Sequence, residues 1–189
     1  MKSETRKEEI INTAAKLFKE KGYSAVTMRD IATAMGMKAA SLYNHISSKQ
    51  DILKDIIISL AEAFTKGMQD IKTSDISTIQ KVQAVVKLHV DITAQNTYGM
   101  ASLNNDWMHL EEKRDHYLSL RNGYEADFRS ILLEGIKQNE IIDSNVEVML
   151  FSILSTLRSL YLWIPKKEDV SPDTLSKSLS HVLINGINK

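Results

Sequence analysis

Apolar residues recur every three or four positions along most of this chain, which is the spacing that places them on one face of an α-helix. Over residues 28–35 this spacing predicts a short helix, with Thr27 as its N-cap and Gly36 ending it. A second short helix is predicted over about residues 39–45. Two short helices joined by a tight turn that contains glycine are typical of a helix-turn-helix, whose second helix lies in the major groove of DNA.

The same spacing predicts longer helices on both sides of this motif. A first helix covers about residues 4–21, and Gly22 ends it. Ser47 and Ser48 are capping residues for a long helix that reaches about residue 71. After a polar break, with Asp75 or Ser77 as N-cap, further helices are predicted over residues 79–95, 100–110, 112–138 and 145–164 and after Ser171-Pro172.

Helical spacing throughout, with only two prolines and seven glycines, predicts an all-α fold. A hydrophobic content of 43% is enough for a substantial core. We expect an N-terminal helix-turn-helix domain of three helices over residues 1–48, followed by a domain of about six helices over residues 49–189.

A further set of residues lies at characteristic positions in and around the motif. The motif and the next helix start carry Gly36, Ser41, Leu42, Tyr43, Ser48, Lys49, Asp51 and Leu53. Upstream of them lie Ile11, Ala14, Ala15, Leu17, Phe18, Gly22, Tyr23, Thr27, Ile31 and Ala32. At these positions the chain resembles the N-terminal domain of the tetracycline-repressor (TetR) family of bacterial regulators. The chain departs from the usual family residues at Lys38, Ala40 and Asn44-His45-Ile46. The resemblance implies a DNA-binding head that a long helix connects to an effector-binding domain, in a dimeric repressor.

If the second helix of the motif lies in the major groove of DNA, its polar and small side chains are the candidate DNA contacts. Asn and His side chains can hydrogen-bond base edges, whereas Lys, Ser and Tyr typically reach phosphates. Helix N-termini also favour phosphate. The predicted DNA-binding residues are Thr27, Lys38, Ala39, Ser41, Tyr43, Asn44, His45 and Lys49. Without the surrounding pattern, an ordinary solvated helix would be the preferred interpretation of the same residues.

The second half of the chain carries aromatic residues at helical spacing, which suit either a plain core or the wall of an apolar pocket. The Arg121…Tyr124…Arg129 helix, Leu157…Tyr161-Leu162-Trp163 and Pro165 lie in residues 107–186, which loosely resemble the C-terminal domain of TetR-type regulators that respond to fatty acyl-CoA-like or steroid-CoA-like ligands. The helices of this half carry mostly Val, Ile, Leu and Met, so we expect an elongated apolar effector with one polar or anionic end. We predict its cavity between the long connecting helix and the helices over residues 79–95, 112–138 and 145–164. The predicted wall residues are Trp107, Tyr124, Phe128 and Tyr161.

A basic mouth for such an effector is predicted at Arg121 and Arg129. The alternative for these arginines is an ordinary surface salt bridge with Glu125, four residues away from each. The operator is double-stranded DNA, and no cofactor is expected.

The last two helices carry more apolar residues than one chain of this size can readily cover. We therefore predict a homodimer through residues 145–164 and 173–187. Such a dimer places its two recognition helices about 34–36 Å apart, which is one turn of DNA.

Charge and composition fit this interpretation. The formal net charge is zero, but residues 1–54 hold ten Lys/Arg and six Asp/Glu, so the head is basic and the remainder acidic. The chain has no cysteine, which excludes disulfides and thiolate zinc sites and fits a cytoplasmic protein. No apolar run approaches the ~18–20 residues of a membrane span, so we expect no membrane.

Enzymatic and metal-binding functions have little support in the sequence. We find no hydrolase, metalloprotease or phosphate-loop motif, and predict that the protein is not an enzyme. His109, Glu112 and His116 would share a face of an unbroken helix, but we see no fourth ligand and predict no metal site. The alternative function is a helix-turn-helix or helical interaction module without an effector. A solid core in the second half of the chain would favour this alternative, whereas a cavity there would favour an effector-binding regulator.

Overall fold

The structure, a computed structural model, describes residues 5–167 and 169–186. Every regular element in these ranges is a helix, so the predicted all-α fold is confirmed. The helices are α1 (Arg6–Lys21), α2 (Met28–Ala34), α3 (Ala39–Tyr43), α4 (Lys49–Thr73), α5 (Thr78–Gln95), α6 (Thr97–Asn105), α7 (Arg114–Lys137), α8 (Val146–Arg158), α9 (Leu160–Trp163) and α10 (Pro172–Asn185). Short 3-10 turns lie at Trp107–His109, Glu111–Lys113 and Ile164–Lys166.

The chain separates into two compact units. The first contains Met1–Ala61 and Tyr98–Tyr117, and the second contains Glu62–Thr97 and Leu118–Lys189. The predicted start of the first helix at residue 4 and the end of the predicted dimer segment at Ile187 lie outside the described residues.

The first unit has a small apolar core built from the helices of the motif and α1. α1 begins at a capping box between Thr5 and Glu8, and its apolar side chains lie one turn apart because of the helical repeat. The fully buried side chains here are Ile10, Ala14, Val26, Ile31, Leu42, Ile52, Leu53 and Ile57. This core fixes the orientation of α3 within the unit.

The second unit is organised around α5, on which α8, α9 and α10 pack. α5 begins at a capping box between Ser77 and Gln80, which identifies Ser77 rather than Asp75 as the N-cap. Glycine lets neighbouring helices approach α5 closely. A Cβ at Gly67 would lie 2.5 Å from Leu88, and one at Gly135 would overlap the Thr78 side chain.

Two predicted helices are broken in the structure. The helix predicted over residues 145–164 ends at Arg158 and resumes as the short α9, with Ser159 at the junction. The helix predicted over residues 100–110 is instead α6 over Thr97–Asn105, followed by two 3-10 turns, and α7 starts at Arg114. Glu111 has a φ of 45°, which an α-helix does not accommodate.

The stretch Val146–Lys166 meets the length and composition of a membrane span, with a mean hydropathy of 1.4. The expectation that no apolar run approaches this length is therefore wrong for this stretch. Its helix is interrupted at Ser159 and again by a 3-10 turn that contains Pro165. Its buried side chains are Leu150, Ile153, Leu154, Leu157, Leu160 and Tyr161, and α8 and α9 pack on α5. We therefore assign the stretch to the core of the second unit.

Candidate functional site

The first helix of the motif begins with a reciprocal cap between Thr27 and Asp30. The Thr27 hydroxyl accepts from the Asp30 backbone N–H at 3.2 Å, and the Asp30 carboxylate accepts from the Thr27 backbone N–H at 2.8 Å. The Thr27 hydroxyl also donates to this carboxylate, and these hydrogen bonds lower the pKa of Asp30. Thr27, a predicted DNA contact, is exposed, and it also caps α2.

The turn between α2 and α3 depends on Gly36. Its φ is +64°, the left-handed region in which a side chain is strained. The Gly36 N–H donates to the Thr33 carbonyl, and the Met37 N–H donates to the Ala32 carbonyl, each at 3.0 Å. This pair of hydrogen bonds is a Schellman motif, which ends α2 and turns the chain toward α3.

α3 is held on the first unit by one apolar anchor and presents polar side chains around it. Leu42 is fully buried, whereas the predicted contact residue Ala39 is half-buried. The helix ends at Tyr43, so Asn44 is the C-cap and His45 lies in the following turn rather than in a helix reaching residue 45. The other predicted contact residues of this segment are all exposed: Lys38, Ser41, Tyr43, Asn44 and His45. This end of the unit offers both donors and acceptors to a partner.

Lys49, the first residue of α4, is occupied within the first unit. Its ammonium donates to the carbonyls of Tyr23 and Val26 at 2.9 and 2.8 Å. It also lies 4.2 Å from the centre of the Tyr23 ring. Burial lowers the pKa of Lys49. Lys49 therefore ties the start of α4 to the segment before α2, in addition to its predicted contact with phosphate.

The segment after α6 is attached to the same region of the first unit. The Gln50 side-chain amide donates to the His109 carbonyl and to the Glu111 carboxylate, both at 2.8 Å. The His109 ring stacks on Tyr23, with 5.2 Å between ring centres. These partners are 59 or more residues apart in sequence, so no local pattern predicts the attachment.

The spacing of His109, Glu112 and His116 does not produce a shared helix face. His109 and Glu112 lie in separate 3-10 turns, and α7 begins only after them. The condition for a metal site at these residues, an unbroken helix, is therefore not met.

The four predicted wall residues are divided between the units. Trp107 belongs to the first unit and is half-buried beside Tyr117, with 5.8 Å between ring centres. Tyr124, Phe128 and Tyr161 belong to the second unit, where all three are buried. The structure thus brings three of the four residues into one unit.

A buried polar cluster lies beside Tyr124. The Tyr124 hydroxyl is 2.8 Å from Nε2 of His89, and the Phe64 ring packs on the His89 ring with 4.6 Å between centres. Burial, with the charge of Arg158, lowers the pKa of His89 to about 3, so the imidazole is neutral. Burial also raises the pKa of Tyr124. Helical spacing places His89 on the same face of α5 as the buried Val82, Val85 and Val86, but no pattern in the sequence indicates this hydrogen bond.

The arginines predicted as a basic mouth are both engaged with carboxylates. Arg121 and Arg158 both pair with Glu125. Burial raises the pKa of Glu125, but the two arginines lower it below its usual value. Arg129 forms a two-pronged pair with Glu147 at 2.5 and 2.9 Å. Arg121 therefore forms the salt bridge with Glu125 that was the alternative prediction for both arginines. Arg129 pairs with a different residue, Glu147.

Two clefts open on the second unit. One of about 830 Å³ lies between α5, the end of α7, α8 and α10, and is lined mainly by apolar residues such as Val82, Leu132 and Ile153. A more polar cleft of about 520 Å³ lies beside the start of α5. Tyr124, Phe128 and Tyr161 line neither cleft. The larger one has the volume of a small-molecule site, although its lining differs from the predicted wall.

Two family models match the sequence. The model described as "Bacterial regulatory proteins, tetR family" matches residues 10–56, which include the whole helix-turn-helix. The model described as "Tetracyclin repressor-like, C-terminal domain" matches residues 75–187, more than half of the chain.

Individual relatives agree with these matches. The chain is 26% identical over 185 residues to the HTH-type transcriptional repressor KstR2 of Rhodococcus jostii (strain RHA1), covering 96% of this chain and 91% of the relative. The solved structure of the probable transcriptional regulatory protein RHA5900 is similar with a TM-score of 0.89 at 25% identity, covering 97% of this chain and all of that one. The solved structure of the ketosteroid transcriptional regulator KstR2 of Mycobacterium tuberculosis is similar with a TM-score of 0.90 at 19% identity. The match covers 100% of this chain and 97% of that one, which shows a shared fold.

Proposed function

The chain belongs to the TetR family of transcriptional regulators, and from that membership we propose that it is a homodimeric repressor released from its operator by a small apolar effector. Its relatives are transcriptional regulators rather than enzymes. The observation that carries the proposal is the set of exposed polar side chains around α3, held by the buried Leu42 on a capped helix-turn-helix. DNA binding by such a protein fits a cytoplasmic location.

In this proposal residues 1–48 bind DNA, and residues 49–189 bind the effector and form the dimer. Asn44 and His45, at and beyond the end of α3, read base edges because their side chains carry both donors and acceptors. The remaining exposed groups of the segment, together with Thr27 and Lys49, contact the phosphate backbone and fix the register.

Two substitutions separate these roles. Lys38→Ala weakens binding to all DNA sequences and reduces the slope of log affinity against log salt by about one, because one phosphate contact is lost. Asn44→Ala leaves that slope unchanged and alters which operator is preferred, with about 1–3 kcal/mol less discrimination at one base pair. Fluorescence anisotropy over a range of salt concentrations, with operator variants, measures both effects. If both substitutions changed the affinity for every DNA sequence by the same factor, the division into phosphate contacts and base contacts would be contradicted.

Release of the repressor requires that the effector bind one conformer more tightly than the other. A conformer whose two heads are wrongly spaced for the operator has low DNA affinity, and an effector that favours it lowers operator occupancy. By linkage, operator DNA must weaken effector binding by the same factor. No bond is made or broken in this cycle.

We propose an elongated, largely apolar effector for the second unit. Support comes from the match to the repressor-like C-terminal domain. Tyr124, Phe128 and Tyr161 remain our candidates for the wall. An acyl-CoA is the specific candidate, with Arg121 and Arg129 near its anionic end once they leave their carboxylate partners.

Operator-release assays with acyl-CoAs of increasing chain length test this assignment. Each added methylene contributes about 0.8 kcal/mol of apolar burial, so the concentration needed for release falls about fourfold per carbon while the chain still fits. Free CoA serves as the control for the head group alone. If long chains, short chains and free CoA all leave the operator complex intact, the acyl-CoA assignment fails and the apolar effector remains.

A further inference from the structure

The core of the second unit contains a group of side chains that we call the His89 cluster: His89, Thr93, Tyr124 and Phe64. His89 and Thr93 are four residues apart on α5, so they share a helix face with roughly 5–6 Å between their Cβ atoms. All four side chains are buried, and Thr93 has no exposed surface at all. The rings of Phe64, His89 and Tyr124 pack against one another.

Two polar atoms of this cluster lack a hydrogen-bond partner among the described residues, Nδ1 of His89 and Oγ1 of Thr93. Tyr124 already occupies the other ring nitrogen of His89. Buried polar atoms in folded proteins are nearly always hydrogen-bonded, so two such atoms on one helix face indicate a partner other than the described residues. A water molecule or a polar atom of a ligand satisfies that requirement.

The surroundings favour a neutral partner atom. The pKa of His89 lies far below neutrality, so the imidazole has no charge to offer an anion. Arg158, whose charge reaches His89, is paired with Glu125. A carboxylate placed at the cluster would therefore lose its hydration without gaining an unpaired cation. A ketone or hydroxyl oxygen is desolvated at a much smaller cost.

We propose that the His89 cluster is the subsite that holds a neutral oxygen of the effector, a ketone or a hydroxyl. With the Tyr124 hydroxyl donating to Nε2, the His89 Nδ1–H and the Thr93 hydroxyl both donate to that oxygen. The adjoining rings of Phe64 and Tyr124 contact the apolar body of the ligand. This inference rests on the proposed function, because it specifies the chemistry of the effector that the same unit binds.

Nitrogen-15 NMR of the histidine side chains tests the proposal directly. The His89 signals are identified by their disappearance in His89→Gln, and the full-length protein is titrated with methyl hexyl ketone, octanol and octanoate. The series is repeated with homologues that are two carbons shorter and longer. We expect the ketone and the alcohol to shift the His89 Nδ1 resonance and to bind about tenfold or more tightly than octanoate, in line with the penalty for a buried anion.

A pair of isosteric variants separates the hydrogen bond from the apolar contacts. Thr93→Val removes the orphaned hydroxyl and should lower ketone affinity about two- to tenfold, which is the contribution of one hydrogen bond. Thr97→Val is the matched control, because the Thr97 hydroxyl already donates to the Thr93 carbonyl at 3.0 Å. It should leave ketone affinity unchanged, and both variants should keep the affinity gain per methylene.

Three results overturn the proposal: octanoate shifting the Nδ1 resonance at as low a concentration as the ketone, equal effects of the two valine variants, or no shift of Nδ1 with any probe at any chain length. The last result means that water fills the site. Operator binding is measured on the same samples. A protein that binds its operator while Nδ1 stays unaffected refutes the subsite alone, whereas loss of all DNA binding refutes the proposed function.

Discussion

We expect Phe151→Asp to convert the proposed dimer into a monomer and to lower operator affinity by about 10²–10⁴, which is the advantage that two linked binding modules have over one. Phe151 is 72% exposed on α8, and Val148, one turn earlier, is 59% exposed. Val182 on α10 is also exposed. Apolar side chains of this size on one helix face indicate a surface that another protein covers. We propose that a second copy covers it, since proteins of this family act as dimers.

Light scattering of the full-length protein at micromolar concentration measures the change in mass, and anisotropy with operator DNA measures the change in affinity. Met108→Glu is the control, because Met108 is an exposed apolar residue of the first unit, outside the proposed interface. It should leave the dimer intact. A wild-type protein that is monomeric under these conditions, or a Phe151→Asp variant that remains dimeric, rules out this interface.

Lys49→Met is expected to destabilise the first unit by about 2–4 kcal/mol. The substitution keeps the aliphatic stem but removes the ammonium that bridges the carbonyls of Tyr23 and Val26. Hydrogen bonds to a charged group contribute about 1.5–3 kcal/mol each, and part of this is recovered when water reaches the carbonyls. Hydrogen exchange of the backbone amides over residues 6–61, read by mass spectrometry, reports the loss in this unit.

Lys54→Met is the matched control for this prediction. Lys54 lies on the same helix and pairs with Asp51 at 3.0 Å, but both side chains are substantially exposed. Such surface pairs contribute about 0–1 kcal/mol, so the control should alter exchange little. Salt dependence of DNA binding then tests the second role of Lys49. A slope reduced by about one supports a phosphate contact, whereas an unchanged slope removes Lys49 from the DNA interface.

The local features of the head were predictable from the sequence because their partners are a few residues apart. Thr27 caps α2 through Asp30, three residues later, and Gly36 supplies the left-handed turn that ends it. The Ser77 cap of α5 is of the same kind. Capping and turn chemistry depend on residue type at fixed offsets, so a single sequence contains the information.

Features that depend on distant partners were not predictable. No glycine or proline stands next to Ser159 to mark the break between α8 and α9. The attachment of Gln50 to His109 joins residues far apart in the chain. The orphaned Nδ1 of His89 is recognised only when every neighbour of the ring is known. Helical spacing shows which side chains point inward but not whether an inward polar atom finds a partner.

Selection of bound sequences from a random pool of double-stranded DNA tests the central claim, that this chain is a dimeric repressor of helix-turn-helix type. The account predicts enrichment of an inverted repeat whose half-sites are centred about one helical turn apart, or somewhat more on bent or overwound DNA, because two equivalent α3 helices read the two halves. Phe151→Asp should abolish enrichment of the full repeat under the same conditions. Failure of the wild-type protein to enrich any sequence, or enrichment of a single unrepeated half-site, would contradict the account.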